Sequence, residues 1–164
     1  MILRYFNVAG ADPEARSGQA TPRATHLIKT ACEVVTGKRP SMSVFGSDYK
    51  TRDGTCIRDY VHVEDLAAAH LAALERLEEG KVIEVNLGSG VGYSVMQVIN
   101  ACRKVSGHSI PVVNSPRRAG DPAKLIADSA LAKTLLDWQP KYTTIEQIVE
   151  TAWNWHRSHP NGYQ

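Results

Sequence analysis

Three arginines are the side chains in this sequence best suited to chemistry with an anion. Arg117 and Arg118 are adjacent in a loop that continues to Asp121, and Arg58 lies in a separate segment. Guanidinium groups bind phosphate oxygens bidentately, so two separate arginines could converge on one diphosphate. Composition alone favours plainer interpretations, in which the loop is merely exposed and basic and Arg58 forms a local ion pair with Asp59.

A glycine-rich turn, Gly88 to Gly92, lies between a predicted strand and a predicted helix. A dinucleotide-binding turn requires the spacing G-x-G-x-x-G, whose third glycine lets the helix pack closely on the strand. The spacing here is G-x-G-x-G, so we interpret the turn as structural and not as a cofactor site.

The histidines and carboxylates show no spacing typical of a metal site or of a catalytic triad, so no metal is expected. His62 and Asp65 precede an apolar helix, a pattern more typical of a packed ring and a capping carboxylate than of an acid/base pair. His156 and His159 are expected to be solvated. The tryptophans are expected to pack in the core or at its edge, at positions Trp138, Trp153 and Trp155.

Length and composition indicate a globular protein of one domain, or a fraction of a larger one. The 164 residues are 43% hydrophobic with a net charge of +2, which predicts neither nucleic-acid nor membrane binding. Three widely spaced cysteines without a CxxC pair favour a reducing compartment, so a cytoplasmic location is expected.

Apolar patterning predicts mixed strands and helices, which is typical of an α/β or α+β fold. A chain that starts inside a buried strand, Met1–Val8, suggests truncation. Further strands are predicted at 43–45, 60–63, 82–87 and 112–113, and helices at 25–36, 65–77, 94–105, 129–136 and 145–155.

Several segments resemble a known family. Residues 3–11, LRYFNVAGA, resemble a strand and loop of the extended short-chain dehydrogenase/reductases. Segments 44–67, 86–95, 116–121 and 153–163 are similar to the UDP-glucose 4-epimerases in particular. The resemblance covers essentially the whole chain, in the right order.

The resemblance implies an α/β fold that is the C-terminal, substrate-binding portion of an extended short-chain dehydrogenase. Residues 1–164 would form this nucleotide-sugar-binding portion, and residues 1–20 and about 54–86 would supply the last strands of a Rossmann sheet. The N-terminal NAD-binding half would be absent. Such a chain leaves an apolar face and a strand edge uncovered, so aggregation, dimerisation or partial disorder near residues 1–20 is expected.

The resemblance also implies residue roles toward a UDP-hexose. The diphosphate would be bound by Asn7, by the backbone N–H of Leu27 at a helix N-terminus, and by Arg58 and Arg118. The uracil would be held by backbone groups of Ser43 and Phe45, and the ribose by Asp121. Tyr5 and Phe6 would lie on the strand that passes the nicotinamide and the hexose.

Two positions depart from the family pattern or vary within it. His26 stands where the family often has Asn, which puts one sugar contact in doubt. Leu125 matches a pocket position where a bulky Tyr restricts some members to unsubstituted hexoses. The smaller Leu suggests acceptance of N-acetylated sugars, and a competition assay without UDP-GlcNAc binding would count against this.

The reaction implied by the family oxidises C4 of the sugar with NAD, rotates the 4-keto intermediate and returns the hydride to the opposite face. It requires a Tyr base in Tyr-x-x-x-Lys, because the Lys lowers the pKa of the Tyr. Not one of the six tyrosines has Lys four residues later. We therefore expect no catalytic residue in this chain, no retained NAD and no turnover by the chain alone.

Alternative functions and partners stay open. The chain could be a non-catalytic nucleotide-sugar-binding module, or a relative of the UDP-pentose 4-epimerases and UDP-sugar decarboxylases. An N-terminal half acting in trans or a second copy of the chain is a possible partner.

Overall fold

The computed structural model describes residues 1–163, which form eight strands and five helices. The strands are β1 (Ile2–Tyr5), β2 (Asn7–Ala9), β3 (Met42–Phe45), β4 (Ile57–His62), β5 (Glu84–Leu87), β6 (Gly92–Ser94), β7 (Val112–Ser115) and β8 (Lys124–Leu125). The helices are α1 (Leu27–Val35), α2 (Val63–Leu74), α3 (Val95–Ser106), α4 (Ala130–Leu136) and α5 (Ile145–Ser158). The predicted α/β fold class is confirmed, with four pairs of parallel strands.

The predicted single buried strand at Met1–Val8 is wrong. The chain forms two short strands separated by Phe6, because β1 pairs in parallel with β5 whereas β2 pairs in parallel with β4. Ile2, Tyr5 and Phe6 are exposed, so β1 is not a core strand in this chain. The ranges 1–20 and 54–86 contain β1, β2, β4 and all but the last residue of β5, and the membership of these strands in a larger Rossmann sheet stays a prediction.

Strand β4 is the central strand of the largest sheet, and each of the other three strands pairs with it. Its C-terminal half pairs with β2, and its N-terminal half pairs with β6 in antiparallel and with β8 in parallel orientation. The sequence pattern missed β6 and β8, because strands of two or three residues beside glycine or proline carry almost no periodic signal. Strands β3 and β7 form a separate parallel pair.

Two apolar clusters flank the strands. The larger joins α1, α3 and α5 to β3 and includes Ile28, Val44, Ile99 and Ile148. The smaller joins α2 and α4 to β4 and β5. Trp138 and Trp155 are buried as expected, and Trp153 is half-buried against the larger cluster.

Helix α2 begins two residues earlier than predicted, and His62 caps it instead of Asp65. His62 Nδ1 accepts a hydrogen bond from Glu64 N at 3.2 Å, so Nε2 carries the proton and donates to Thr151 Oγ1 at 2.9 Å. The fully buried ring also stacks on Tyr142 with 3.6 Å between centroids. The Asp65 carboxylate instead accepts from the backbone N–H groups of Lys141 and Tyr142, which fixes the loop before α5.

Burial keeps two histidines neutral in the folded chain. Burial lowers the pKa of His62 to about 4. It also lowers the pKa of His156 to about 4, and the nearby Lys29 ammonium lowers the pKa of His156 further. His156 is half-buried and His159 stacks on Trp155 at 4.1 Å, so the expectation that both are solvated is wrong.

The free energy of unfolding should therefore fall in mild acid. The unfolded chain takes up a proton on each histidine near pH 6.5, whereas the folded chain does so only near pH 4. We expect His62 alone to remove about 2 kcal/mol between pH 7.5 and pH 5, measured by urea denaturation. His62→Gln should flatten this pH slope and His108→Gln, at an exposed histidine, should not; equal slopes in the two variants would contradict the prediction.

Candidate functional site

Arg58 is held rigidly at the edge of a cavity. Its guanidinium donates to the carbonyl oxygens of Ile57 at 2.9 Å and Pro122 at 2.8 Å, and it pairs with Asp121 Oδ1 at 3.3 Å. The Arg58 side chain is only 13% exposed. The alternative of an Arg58–Asp59 ion pair is wrong, because consecutive residues of β4 point to opposite faces and Asp59 has other partners.

Arg117 and Arg118 do not act as a pair. Arg117 reaches away to Asp48, with 2.6 Å between its Nε and Oδ1 of that residue. Arg118 lies over the Phe45 ring at 4.0 Å, a cation–π contact. The loop of residues 116–123, here called the arginine loop, thus presents Arg118, and not Arg117, to the cavity.

The cavity has a volume of about 460 Å³, within the usual range for a small-molecule site. Its walls come from β2, α1, β3, β4 and the loop after β7. Seven of the residues to which the resemblance gives a substrate role line it together: Asn7, Leu27, Ser43, Phe45, Arg58, Arg118 and Asp121.

Three other residues to which the resemblance gives a substrate or cofactor role do not line the cavity. Leu125 is on β8, paired in register with Arg58, and does not line the cavity. Tyr5 and Phe6 are exposed where β1 ends, with Tyr5 edge-on to His70. The proposed roles of Leu125 in N-acetyl acceptance and of Tyr5 and Phe6 near the cofactor stay predictions.

The N-terminus of α1 faces the same cavity. Leu27 is its first residue, and the preceding His26 makes no side-chain cap because its ring is bonded to Gln19. The first turn contains no acidic residue. Its unpaired N–H groups and the helix dipole therefore favour an anion at this end of the cavity.

Cavity residues that sequence reasoning missed include Cys56, Tyr60 and Arg39. Cys56 and Tyr60 flank Arg58 at spacing two along the chain, so strand alternation from Arg58 would have indicated both. Burial raises the pKa of the Cys56 thiol, which therefore lines the cavity as a neutral group. No sequence signal pointed to Arg39, which is held by Glu33 at 2.5 Å.

The Asp59 carboxylate is buried and takes four hydrogen bonds. Oδ1 accepts from Ser89 N at 2.9 Å and Ser89 Oγ at 2.8 Å, and Oδ2 accepts from Gly90 N at 3.0 Å and Ala127 N at 3.2 Å. A Cβ on Gly88 would lie 2.7 Å from Oδ2, so this position requires glycine. The glycine-rich turn thus binds a carboxylate of its own chain.

The described residues do not fit an NAD site. The N–H groups of the only glycine-rich turn between residues 1 and 163 are already occupied by Asp59. The cavity wall contains no second phosphate-binding loop with the dinucleotide spacing. In the same part of the chain, no group of three or more potential metal ligands comes together.

A sequence profile of the NAD dependent epimerase/dehydratase family matches residues 1–88, more than half of the 164 residues. The chain belongs to this family. The assignment agrees with the resemblance found along the whole sequence and with the parallel strands of the fold.

Relatives within the family are similar over nearly the whole chain. A UDP-glucose 4-epimerase of Halalkalibacterium halodurans is 54% identical over 164 residues, which are 99% of this chain and 49% of that protein. UDP-arabinose 4-epimerase 1 of Arabidopsis thaliana is 44% identical over 99% of this chain and 40% of that protein. The chain therefore spans about half the length of the curated relatives it matches.

Solved structures agree with this fold. The crystal structure of UDP-glucose 4-epimerase from Bifidobacterium longum in complex with NAD+ and UDP matches with a TM-score of 0.92 and 40% identity. The match covers 98% of this chain and 48% of that one. None of the five helices in residues 1–163 combines the length and apolarity needed to cross a membrane.

Asp59→Asn should destabilise the fold. An amide NH2 would replace one carboxylate oxygen and face backbone N–H donors, leaving buried groups unpaired. We expect a loss of about 3 kcal/mol in the free energy of unfolding, measured by urea denaturation. Asp128→Asn is the matched control at an exposed residue that accepts one backbone hydrogen bond; similar losses in the two variants would contradict the assigned role of Asp59.

Proposed function

We propose that this chain forms the UDP-sugar-recognising half of a UDP-hexose 4-epimerase. The observation that carries the proposal is the convergence of Arg58, Arg118 and the α1 N-terminus on one cavity. A diphosphate carries negative charge on oxygens that suit bidentate guanidinium contacts and helix N–H groups. The similarity to UDP-glucose 4-epimerases, one of them solved with UDP, supports the choice of nucleotide.

The uridine would lie along β3. Met42 and Val44 point into the core, whereas Ser43 and Phe45 are exposed on the cavity side. Only β7 pairs with β3 among the described strands, so the second edge of β3 offers backbone donors and acceptors to a base. Asp121, already oriented by Arg58, would accept a hydrogen bond from the ribose hydroxyls.

The chemical step is assigned to groups outside these residues. The chain lacks Tyr-x-x-x-Lys, and its glycine-rich turn is occupied by Asp59. Its own contribution is to bind the diphosphate, to orient the nucleotide along β3 and to leave the hexose at the end of the cavity near Asn7. The side chain of Asn7 is itself oriented by donation to the Asp59 carbonyl oxygen at 2.9 Å.

The NAD-binding half would cover a specific surface of this chain. Exposed apolar side chains lie on and just after β1 and on the outer side of α2: Ile2, Tyr5, Phe6, Leu71 and Leu74. No strand within residues 1–163 pairs with the second edge of β1. An unpaired edge beside an apolar patch is typical of a surface that another segment or chain covers.

A complementation experiment tests this division of labour. The chain with added NAD should not interconvert UDP-galactose and UDP-glucose. Co-expression with the portion of the Halalkalibacterium relative that the chain does not match should give a complex and turnover. Turnover by the chain alone would contradict the catalytic assignment, and self-association without complex formation would assign the apolar surface to a second copy.

The complex formed by co-expression also tests whether the substrate is a UDP-hexose or a UDP-pentose. The 44% identity to UDP-arabinose 4-epimerase 1 favours UDP-pentose as the second candidate substrate class. Faster turnover of UDP-arabinose than of UDP-galactose would replace the proposed hexose function.

Arg118→Ala should weaken UDP binding without unfolding the chain. Arg118 touches Phe45 and the cavity, so its removal costs a charge-assisted contact but little packing. We expect a loss of affinity of about tenfold to a hundredfold by isothermal titration calorimetry. Arg76→Ala, at an exposed arginine outside the cavity, is the control; equal UDP affinity of the two variants would contradict the site.

A further inference from the structure

Arg117 is the member of the arginine loop that the proposed site leaves unexplained. Its Nε lies 2.6 Å from Asp48 Oδ1, and a second nitrogen donates to the Asp48 carbonyl oxygen. Its guanidinium carbon lies 4.1 Å from the centroid of the Tyr49 ring. We name this group, formed by Arg117, Asp48 and Tyr49, the Arg117 clasp. It joins the loop after β7 to the loop after β3.

The turn at Gly46 is shaped to hold the clasp. Gly46 has φ +82°, in the left-handed region, and its N–H donates to Ser115 O at 2.8 Å. A Cβ here would lie 2.5 Å from Cε2 of Tyr49 and 2.7 Å from Cγ of Arg117. Both side chains therefore pack directly on the backbone where β3 ends, and the Tyr49 ring is buried.

The clasp restricts the orientation of the neighbouring side chain, Arg118. Arg117 and Arg118 follow closely after Ser115, the last residue of β7, which pairs in register with Phe45 at the end of β3. With Arg117 fixed on the outer side by Asp48 and Tyr49, Arg118 is directed over Phe45 at 4.0 Å and into the cavity. Arg58 holds the far end of the loop through Asp121 and the Pro122 carbonyl oxygen.

We propose that Arg117 is a positioning residue for nucleotide binding, acting through Arg118. The inference rests on the proposed UDP site, because Arg117 itself does not line the cavity. Preorganising Arg118 reduces the conformational entropy lost when the diphosphate binds, so the clasp raises affinity without a ligand contact of its own.

Tyr49 supplies a matched pair of controls. Its hydroxyl is buried and has no hydrogen-bond partner among the described residues. Tyr49→Phe therefore keeps the ring beneath Arg117 and should leave the clasp intact. Tyr49→Leu removes the aromatic face and should loosen it.

UDP titrations of the 164-residue chain test the coupling. Arg117→Ala and Asp48→Ala should each weaken binding by about tenfold. Arg117→Lys should recover only part of the loss, because lysine keeps the positive charge but lacks the planar fork. In an Arg118→Ala background, Arg117→Ala should add less than about twofold, because its effect passes through Arg118. Unchanged affinity in Arg117→Ala, or an undiminished loss in the Arg118→Ala background, would overturn the proposal.

Hydrogen exchange of residues 113–123 tests the clasp without ligand. Exchange there should be faster in Arg117→Ala and Tyr49→Leu and unchanged in Tyr49→Phe, and exchange outside the two loops that the clasp joins should be unaffected. Equal protection in all variants would overturn the positioning role. A parent chain that does not bind UDP would refute the proposed function, and hydrogen exchange would still decide whether the clasp exists.

Discussion

The buried Asp59 carboxylate is the interaction on which the rest of the site depends. The four hydrogen bonds of this carboxylate join the middle of β4 to the turn after β5 and to Ala127 after β8. The backbone carbonyl oxygen of Asp59 also orients the side chain of Asn7. A buried charge without such partners would be strongly destabilising, so these segments are fixed relative to one another. Since strand residues alternate, the same constraint points Arg58 to the opposite face, into the cavity.

The placement of positively charged groups and N–H donors explains why the cavity suits a diphosphate. Arg58 is restrained by Asp121 and two carbonyl oxygens, and Arg118 by the Phe45 ring, so both guanidiniums are placed before a ligand arrives. The N-terminus of α1 adds N–H groups with no acidic side chain in its first turn. Preformed donors of this kind lower the entropic cost of binding an anion.

Sequence reasoning predicted the α/β class, the five helices and a set of residues that the fold brings together. Helices with strong periodicity, such as α3 and α5, carry capping boxes at Ser94 and Thr144 that mark their starts. The division at Phe6 and the strands β6 and β8 were missed because they depend on tertiary pairing. The capping role of His62 was missed because histidine is not a preferred N-cap residue. The opposite directions of Arg117 and Arg118 also follow from Asp48 and Tyr49, which are distant in sequence.

A crystal structure of the chain grown with UDP would show directly whether the cavity binds the nucleotide through Arg58 and Arg118. We expect the diphosphate between Arg58, Arg118 and the N–H of Leu27, with the uracil against the backbone of Ser43 and Phe45 and the ribose at Asp121. UDP bound elsewhere on the chain, or a cavity that stays empty at saturating UDP while the fold is intact, would contradict it.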